Sequence, residues 1–152
     1  MLDVLTQAAQ ATCGAIHDDL RRVLRDLPAE ALNWSPGPET NSIYVLVTHL
    51  LGSEHFWLAH AAGQSIVRDR EAEFRAHGSD ASALLRLIDQ ADEHVRTILP
   101  HITEQTLAAT VKWRDESPTG AWCLLHALEH CGQHRGQAAL TRQLWEQSQS
   151  TA

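Results

Sequence analysis

The sequence predicts an all-α fold, an up-and-down four-helix bundle, on three observations. Apolar residues recur at three- and four-residue spacings through four long segments. Pro, Gly and helix-capping residues punctuate the chain between those segments. No alternating run around Asn-Gly or Asp-Gly marks a hairpin. With 152 residues, 43% of them hydrophobic and 20% charged, the chain is long enough to bury a real core, and one domain over residues 1–152 is expected.

The first helix is expected from about Asp3 to Asp26, with Val4, Leu5, Ala8, Ala11, Ala15, Leu20, Val23, Leu24 and Leu27 as its apolar row; Pro28 stops it or begins a new turn. The connection LPAEALNWSPGPETN leads to Asn41 and Ser42, either of which can cap the second helix, expected over 42–62. Its row of Ile43, Leu46, Val47, Leu50, Glu54, Trp57, Leu58 and Ala61 is apolar except for Glu54, and Gly63 is a suitable stop. A polar stretch, QSIVRDREAEFRAHG, precedes Ser79-Asp80 and a third helix over 81–99 that Pro100 ends. After HITEQTLAATVKWRDESP the fourth helix starts near Pro118-Thr119 and reaches about Gln147.

Composition excludes several classes. The longest apolar runs are broken by His, Ser or Thr and fall short of the roughly 20 residues that span a bilayer, so no membrane partner is expected. The start, MLDVLTQAAQATCG, lacks the positive charge and continuous apolar centre of a secretory signal. Three cysteines without CxxC spacing predict reduced thiols and a cytoplasmic protein. A net charge of −7, with only Arg21, Arg22 and Arg25 as a basic group, argues against a nucleic-acid partner.

The stretch HALEHCGQHRGQ carries His126, His130 and His134 at four-residue intervals. On a helix these three drift by only about 80° in total, sharing a face with Trp122, Gln133 and Gln137. Imidazoles at i and i+4 can converge on one cation, and spacing leaves the pairs His126/His130 and His130/His134 equally open. His49 stands mid-helix among Val45, Leu46, Leu50 and Leu51, where a buried ring needs a partner for each nitrogen; a cation shared with a facing helix would satisfy one of them.

SIYVLVTHLLGSEHFWLAH resembles the second helix of DinB-like proteins, and HALEHCGQHRGQAALTRQL resembles their last long helix, with HxxxH followed by RGQ. The likeness extends in helix layout over most of the chain. It implies a metal-binding four-helix bundle of the DinB and mycothiol-dependent maleylpyruvate isomerase-like superfamily, whose members include thiol-dependent transferases and isomerases. Position by position it implies that His49, His130 and His134 are the metal ligands and that His126 is their neighbour. The implied cofactors are a divalent transition metal, zinc or nickel first, and a low-molecular-weight thiol; the implied partner is a small-molecule substrate. Three imidazoles without a fourth protein ligand leave positions open for substrate, as catalytic zinc sites do. Two other readings stand beside the thiol transferase or isomerase: a hydrolase using metal-bound water, and a non-enzymatic, homodimeric bundle that binds a ligand or partner through an apolar face.

The remaining conspicuous residues carry structural expectations. Glu54 reads as a buried, hydrogen-bonded carboxylate, and Cys131 as a small buried hydrophobe. Gly132 and Gly136 suggest close helix approach, and Arg135 a surface ion pair. Trp57, Trp113, Trp122 and Trp145 suggest core, and RDREAEFR a solvated face.

Overall fold

The computed structural model describes residues 1–150. Four long helices form the expected bundle: α1 (Leu2–Leu24), α3 (Ile43–Ala61), α5 (Ser82–Ile98) and α7 (Gly120–Ser150). Three short helices, α2 (Ala29–Asn33), α4 (Arg70–Phe74) and α6 (Glu104–Ala108), lie in the connections; a new turn at Pro28 and a helical RDREAEFR are among the sequence readings, while α6 is not. Each has a local cause. Pro28 supplies an extended N-cap to α2, the Asp69 carboxylate accepts from the Ala72 N–H at 2.9 Å to start α4, and Thr103 and Thr106 form a reciprocal capping box on α6.

Of the two candidate caps for α3, Ser42 is the one used, its hydroxyl accepting from Val45 N–H at 3.2 Å. The helix ends at Gly63, whose φ of +76° is a left-handed conformation that a side chain would strain. Between α6 and α7 no strand forms, but Thr110 pairs with Thr119 and Trp113 with Glu116 across a two-residue turn at Arg114-Asp115. These isolated bridges leave the all-α class intact, and the turn carries no Asn-Gly or Asp-Gly because Arg114 itself takes the left-handed φ of 53°.

Two sequence expectations fail in register or packing. The inward row of α1 is Ala9, Cys13, Ile16, His17 and Leu20, whereas Val4 is 70% exposed and Ala8, Ala11 and Ala15 face solvent. The N-terminal half of α1 is Ala-rich, so its spacing fixed no single face. Gly132 and Gly136 permit no close approach, since a Cβ at either meets nothing within 4 Å. The glycine that does permit one is Gly120, where a Cβ would collide with the Thr106 carbonyl, so α6 can lie against the start of α7.

The helix α3 is buried nearly all round and packs most extensively against α7. Apolar packing falls into two clusters stacked along the bundle. One joins Ile16, Leu20, Leu46, Leu50, Ile88 and Ala138; the other joins Cys13, Trp57, Leu58, Val95, Ile98 and Leu124. Near the junction of the two clusters each long helix places a polar side chain: His17 on α1, Ser53 and Glu54 on α3, Asp92 on α5 and His130 on α7. A polar layer therefore crosses the bundle at mid-height. Buried polar groups at such a level must be satisfied by one another or by a ligand.

Candidate metal centre

The α3 and α7 helices bring His49 together with His130 and His134. Each ring offers one nitrogen, and these atoms all lie within 4.8 Å of one another. The His130 and His134 Nε2 atoms are 3.2 Å apart, close to the roughly 3.3 Å separating two nitrogens that share a tetrahedral cation at 2.0–2.1 Å. His126 lies outside the trio: its ring is 5.5 Å from that of His130 and stacks on Trp122 at 4.5 Å. Spacing left both histidine pairs of α7 open, and the bundle geometry selects the second.

Two of the three rings are oriented by hydrogen bonds at the nitrogen that faces away. His134 Nδ1–H donates to Gln137 Oε1 at 2.7 Å, and His49 Nδ1 lies 2.8 Å from Glu73 Oε2. An Arg68 Nη2 also lies 3.2 Å from His49 Nδ1. The carboxylate decides the tautomer, because an unprotonated Nδ1 would set two lone pairs against each other at 2.8 Å. His49 therefore donates from Nδ1, which leaves Nε2 as the nitrogen available to the other rings. This is the carboxylate–histidine arrangement that fixes metal-ligating imidazoles.

Glu73 comes from α4, the segment expected to be a solvated face. It is buried, and Arg68 holds it through bonds of 2.7 Å to each carboxylate oxygen. Gly52, one turn after His49, makes room for it: a Cβ there would collide with the Glu73 carboxylate. Phe74 completes the contact, its ring 4.5 Å from that of His49. Burial opposes ionisation of Glu73, but the bonds from His49 and Arg68 outweigh it and hold its pKa below the usual carboxylate value.

Burial keeps the other two rings neutral. It lowers the His130 pKa to about 3, with His134, His49, His126 and Arg68 adding cationic repulsion. Burial likewise lowers His134, against the opposing bond to Gln137. His130 Nδ1 is buried and has no hydrogen-bond partner. Three imidazoles that each offer a nitrogen to one point, with no carboxylate or hydroxyl among them, are a donor set that suits a divalent transition metal. The residues fit the group.

A cavity of about 370 Å³ opens beside His49 and His130. Phe56, Trp57 and Trp113 form apolar walls, with the Trp57 and Trp113 rings 5.1 Å apart; Trp57 is buried core as well, while the partly exposed Trp113 is not. Trp145 lies far along α7, outside this lining.

Glu54 belongs to a separate cluster. Its carboxylate oxygens each lie 3.1 Å from His17 Nε2, while His17 Nδ1 is 2.6 Å from Asp92 Oδ1. Burial disfavours charge on His17, but the bonds to Glu54 and Asp92 prevail and raise its pKa. Cys13 and Cys131 are buried free thiols whose pKa values are raised, by burial first and by the Glu54 carboxylate second. Neither is suited to act as a thiolate. Arg135 forms the expected ion pair, with Asp19 at 2.6 Å.

Comparison with known proteins agrees with this architecture. The DinB superfamily model matches residues 15–138. A conserved protein of Enterococcus faecalis superposes with a TM-score of 0.74 at 18% identity, over 91% of this chain and 95% of that one. A DinB-like protein of Bacillus subtilis gives 0.66 at 20% identity, over 91% and 88%. A second, from Bacillus cereus, gives 0.66 at 13% identity, over 84% of each. No curated protein sequence gives a significant match.

Proposed function

The chain belongs to the DinB superfamily, and from that membership we propose that it is a metal-dependent enzyme acting on a small molecule with a low-molecular-weight thiol, by transfer or isomerisation. The observation that carries the reading is the convergence of three imidazoles, two of them oriented from behind, beside a cavity with apolar walls. His49, His130 and His134 would hold a divalent transition metal, zinc or nickel being the best matches to imidazole donors. Bound there, such an ion supplies Lewis acidity, which holds a coordinated thiol as its thiolate at neutral pH.

The chain's own residues do the rest. Glu73 and Gln137 hold the ligand rings in register, so the site is organised before substrate arrives. Phe56, Trp57 and Trp113 exclude water from the reacting atoms. His126, on the cavity wall, is placed to take up the proton that a thiol releases. Family resemblance favours the thiol over metal-bound water as nucleophile.

The test is metal content after tag-free purification, wild type against His130→Ala, followed by thiol consumption with an electrophilic acceptor. About one equivalent of metal in the wild type, little in the variant, and turnover abolished by His49→Ala are expected. Equally low metal in both proteins would end the metal reading. Metal-dependent ester hydrolysis without thiol would move the assignment to a hydrolase.

A further inference from the structure

We propose that the cavity beside the histidine trio recognises a small carboxylate with a flat apolar or aromatic body, through Arg70 and Arg114 at its rim and Ser53 at its depth. The inference rests on the reading of the trio as the reacting centre and names the class of substrate delivered to it.

The first observation is a local inversion of charge. The chain carries a net −7, and its arginines generally find acids: Arg21, Arg22, Arg96, Arg135 and Arg142 all do. The cavity lining holds three arginines and no Asp or Glu. Arg68 among them is committed to Glu73. Among the described residues Arg70 and Arg114 have no ion-pair partner; their guanidinium groups instead lie over the rings of Phe74 and Trp113, at 4.7 and 4.8 Å from the centroids. Stacking fixes the plane of a guanidinium while leaving its in-plane N–H donors free for a carboxylate.

The second observation is inside. Ser53 is only 1% exposed, lines the same cavity, and its Oγ has no hydrogen-bond partner. A buried hydroxyl left unpaired is costly, and a ligand oxygen in the cavity would relieve it. The third is the backbone of Arg114, which holds a left-handed φ of 53° at the tip of the 113–116 turn, a place where glycine is the unstrained choice. The side chain that glycine would lack is the one over the cavity.

Size and walls narrow the ligand. About 370 Å³ is at the small end of ligand cavities, and Phe56, Trp57 and Trp113 offer flat faces. One carboxylate on an unsaturated or aromatic frame suits this combination; a polyphosphate or nucleic-acid backbone would need a broader basic surface.

Quenching of tryptophan fluorescence by benzoate, with benzamide as the neutral isostere, tests the proposal on the metal-loaded protein. Saturable benzoate binding with Kd near 1 mM, about tenfold tighter than benzamide, is expected, and Arg70→Gln/Arg114→Gln should erase the preference while Arg25→Gln leaves it. Equal binding of the two probes, no saturation by about 10 mM benzoate, or an unchanged preference in the double variant would overturn it. The same titration in His130→Ala separates the two readings. A preference that survives there supports the rim site whatever becomes of the metal; one lost there but kept in the double arginine variant assigns the carboxylate to the metal and sinks the proposal.

Discussion

The polar layer of the bundle contains two histidine–carboxylate clusters built from the same residue types and doing opposite things. In the inner one, both nitrogens of His17 face carboxylates, Asp92 at 2.6 Å and Glu54 at 3.1 Å, so both must donate and the ring itself is the cation. Arg21 adds a second positive charge on Asp92, at 2.5 Å. In the outer one, a single carboxylate serves three rings, through His49 alone, and each ring offers a nitrogen to the same point. The inner cluster is electrostatically closed within the chain; the outer presents donors that a cation from outside the chain could share. Histidine content therefore marks no metal site. What marks one is a set of lone pairs directed at a common point with their protons fixed on the far side.

The largest expected effect comes from opening the closed cluster. Glu54→Ala leaves the buried His17 with half of its neutralisation, and breaking a buried pair in this way costs about 3 kcal/mol or more. Chemical denaturation should show that loss, while the metal content of the folded protein stays at the wild-type level. A His17→Leu/Glu54→Leu protein should recover much of the stability, because no lone buried charge remains. Loss of metal in Glu54→Ala comparable to that in His130→Ala would show that the two clusters act as one, and the contrast would fail.

Next in size is Glu73→Gln, which keeps the shape but removes the charge that holds His49 Nδ1–H. Losing the carboxylate that holds a ligand ring weakens metal binding by about 10–100-fold, or roughly 1.4–2.8 kcal/mol. Competition with a chromophoric chelator measures it. Gly52→Ala should weaken metal binding in the same direction by pushing Glu73 off its seat, although Gly52 touches no ligand atom. Wild-type affinity in both variants would mean that His49 needs no support from α4.

These two residues also show where sequence reading ran out. The four long helices announced themselves by spacing, and His49, His130 and His134 could be named because helix periodicity and a family resemblance both acted on local strings of residues. Glu73 and Arg68 sit in QSIVRDREAEFRAHG, whose charges have the composition of a solvated face. Their burial follows from a missing methyl group at Gly52, some twenty residues away, which no local pattern reveals. The closed cluster was half visible: Glu54 stood out as the one acid in the α3 row, but His17 lies on a helix whose alanines gave no single inward face. A histidine on a predicted first helix, taken with the lone inward acid on the second, was the available signal.

pH should separate the inner cluster from His94, a half-buried ring outside both clusters that packs on His55, with effects on the order of 1 kcal/mol. Burial, helped by neighbouring His55, lowers the His94 pKa to about 4, so this ring is neutral in the fold and takes up a proton on unfolding below about 6.5. Stability is therefore lost as pH falls from about 6.5 toward 4. His17 has the opposite sign: its raised pKa contributes fully below about 6.5, and the contribution is lost as pH rises through the folded value. Melting curves across pH should show His94→Gln flattening the acid limb and His17→Gln flattening the alkaline one. An acid limb unchanged in His94→Gln would place the whole acid sensitivity on the other half-buried histidines with lowered pKa values, His130 and His134 first.

The smallest effect tests whether the outer cluster carries strain that the inner one does not. None of His17, Glu54 or Asp92 departs from ordinary helical backbone, whereas Arg114 at the cavity rim holds φ at 53°. An L-residue pays roughly 1–2 kcal/mol for that conformation, and glycine avoids it. Glycine also gives the unfolded chain more freedom, offsetting about 0.4–1 kcal/mol of the gain. Arg114→Gly should accordingly stabilise the protein by about 0.5 kcal/mol, a rise of roughly 1–2 °C in Tm for a chain of this size, while weakening benzoate binding. Arg114→Ala keeps the strain and loses the guanidinium, so it should weaken binding equally without the gain. A pair of variants in which binding and stability fall together would mean that Arg114 serves the turn and not the cavity.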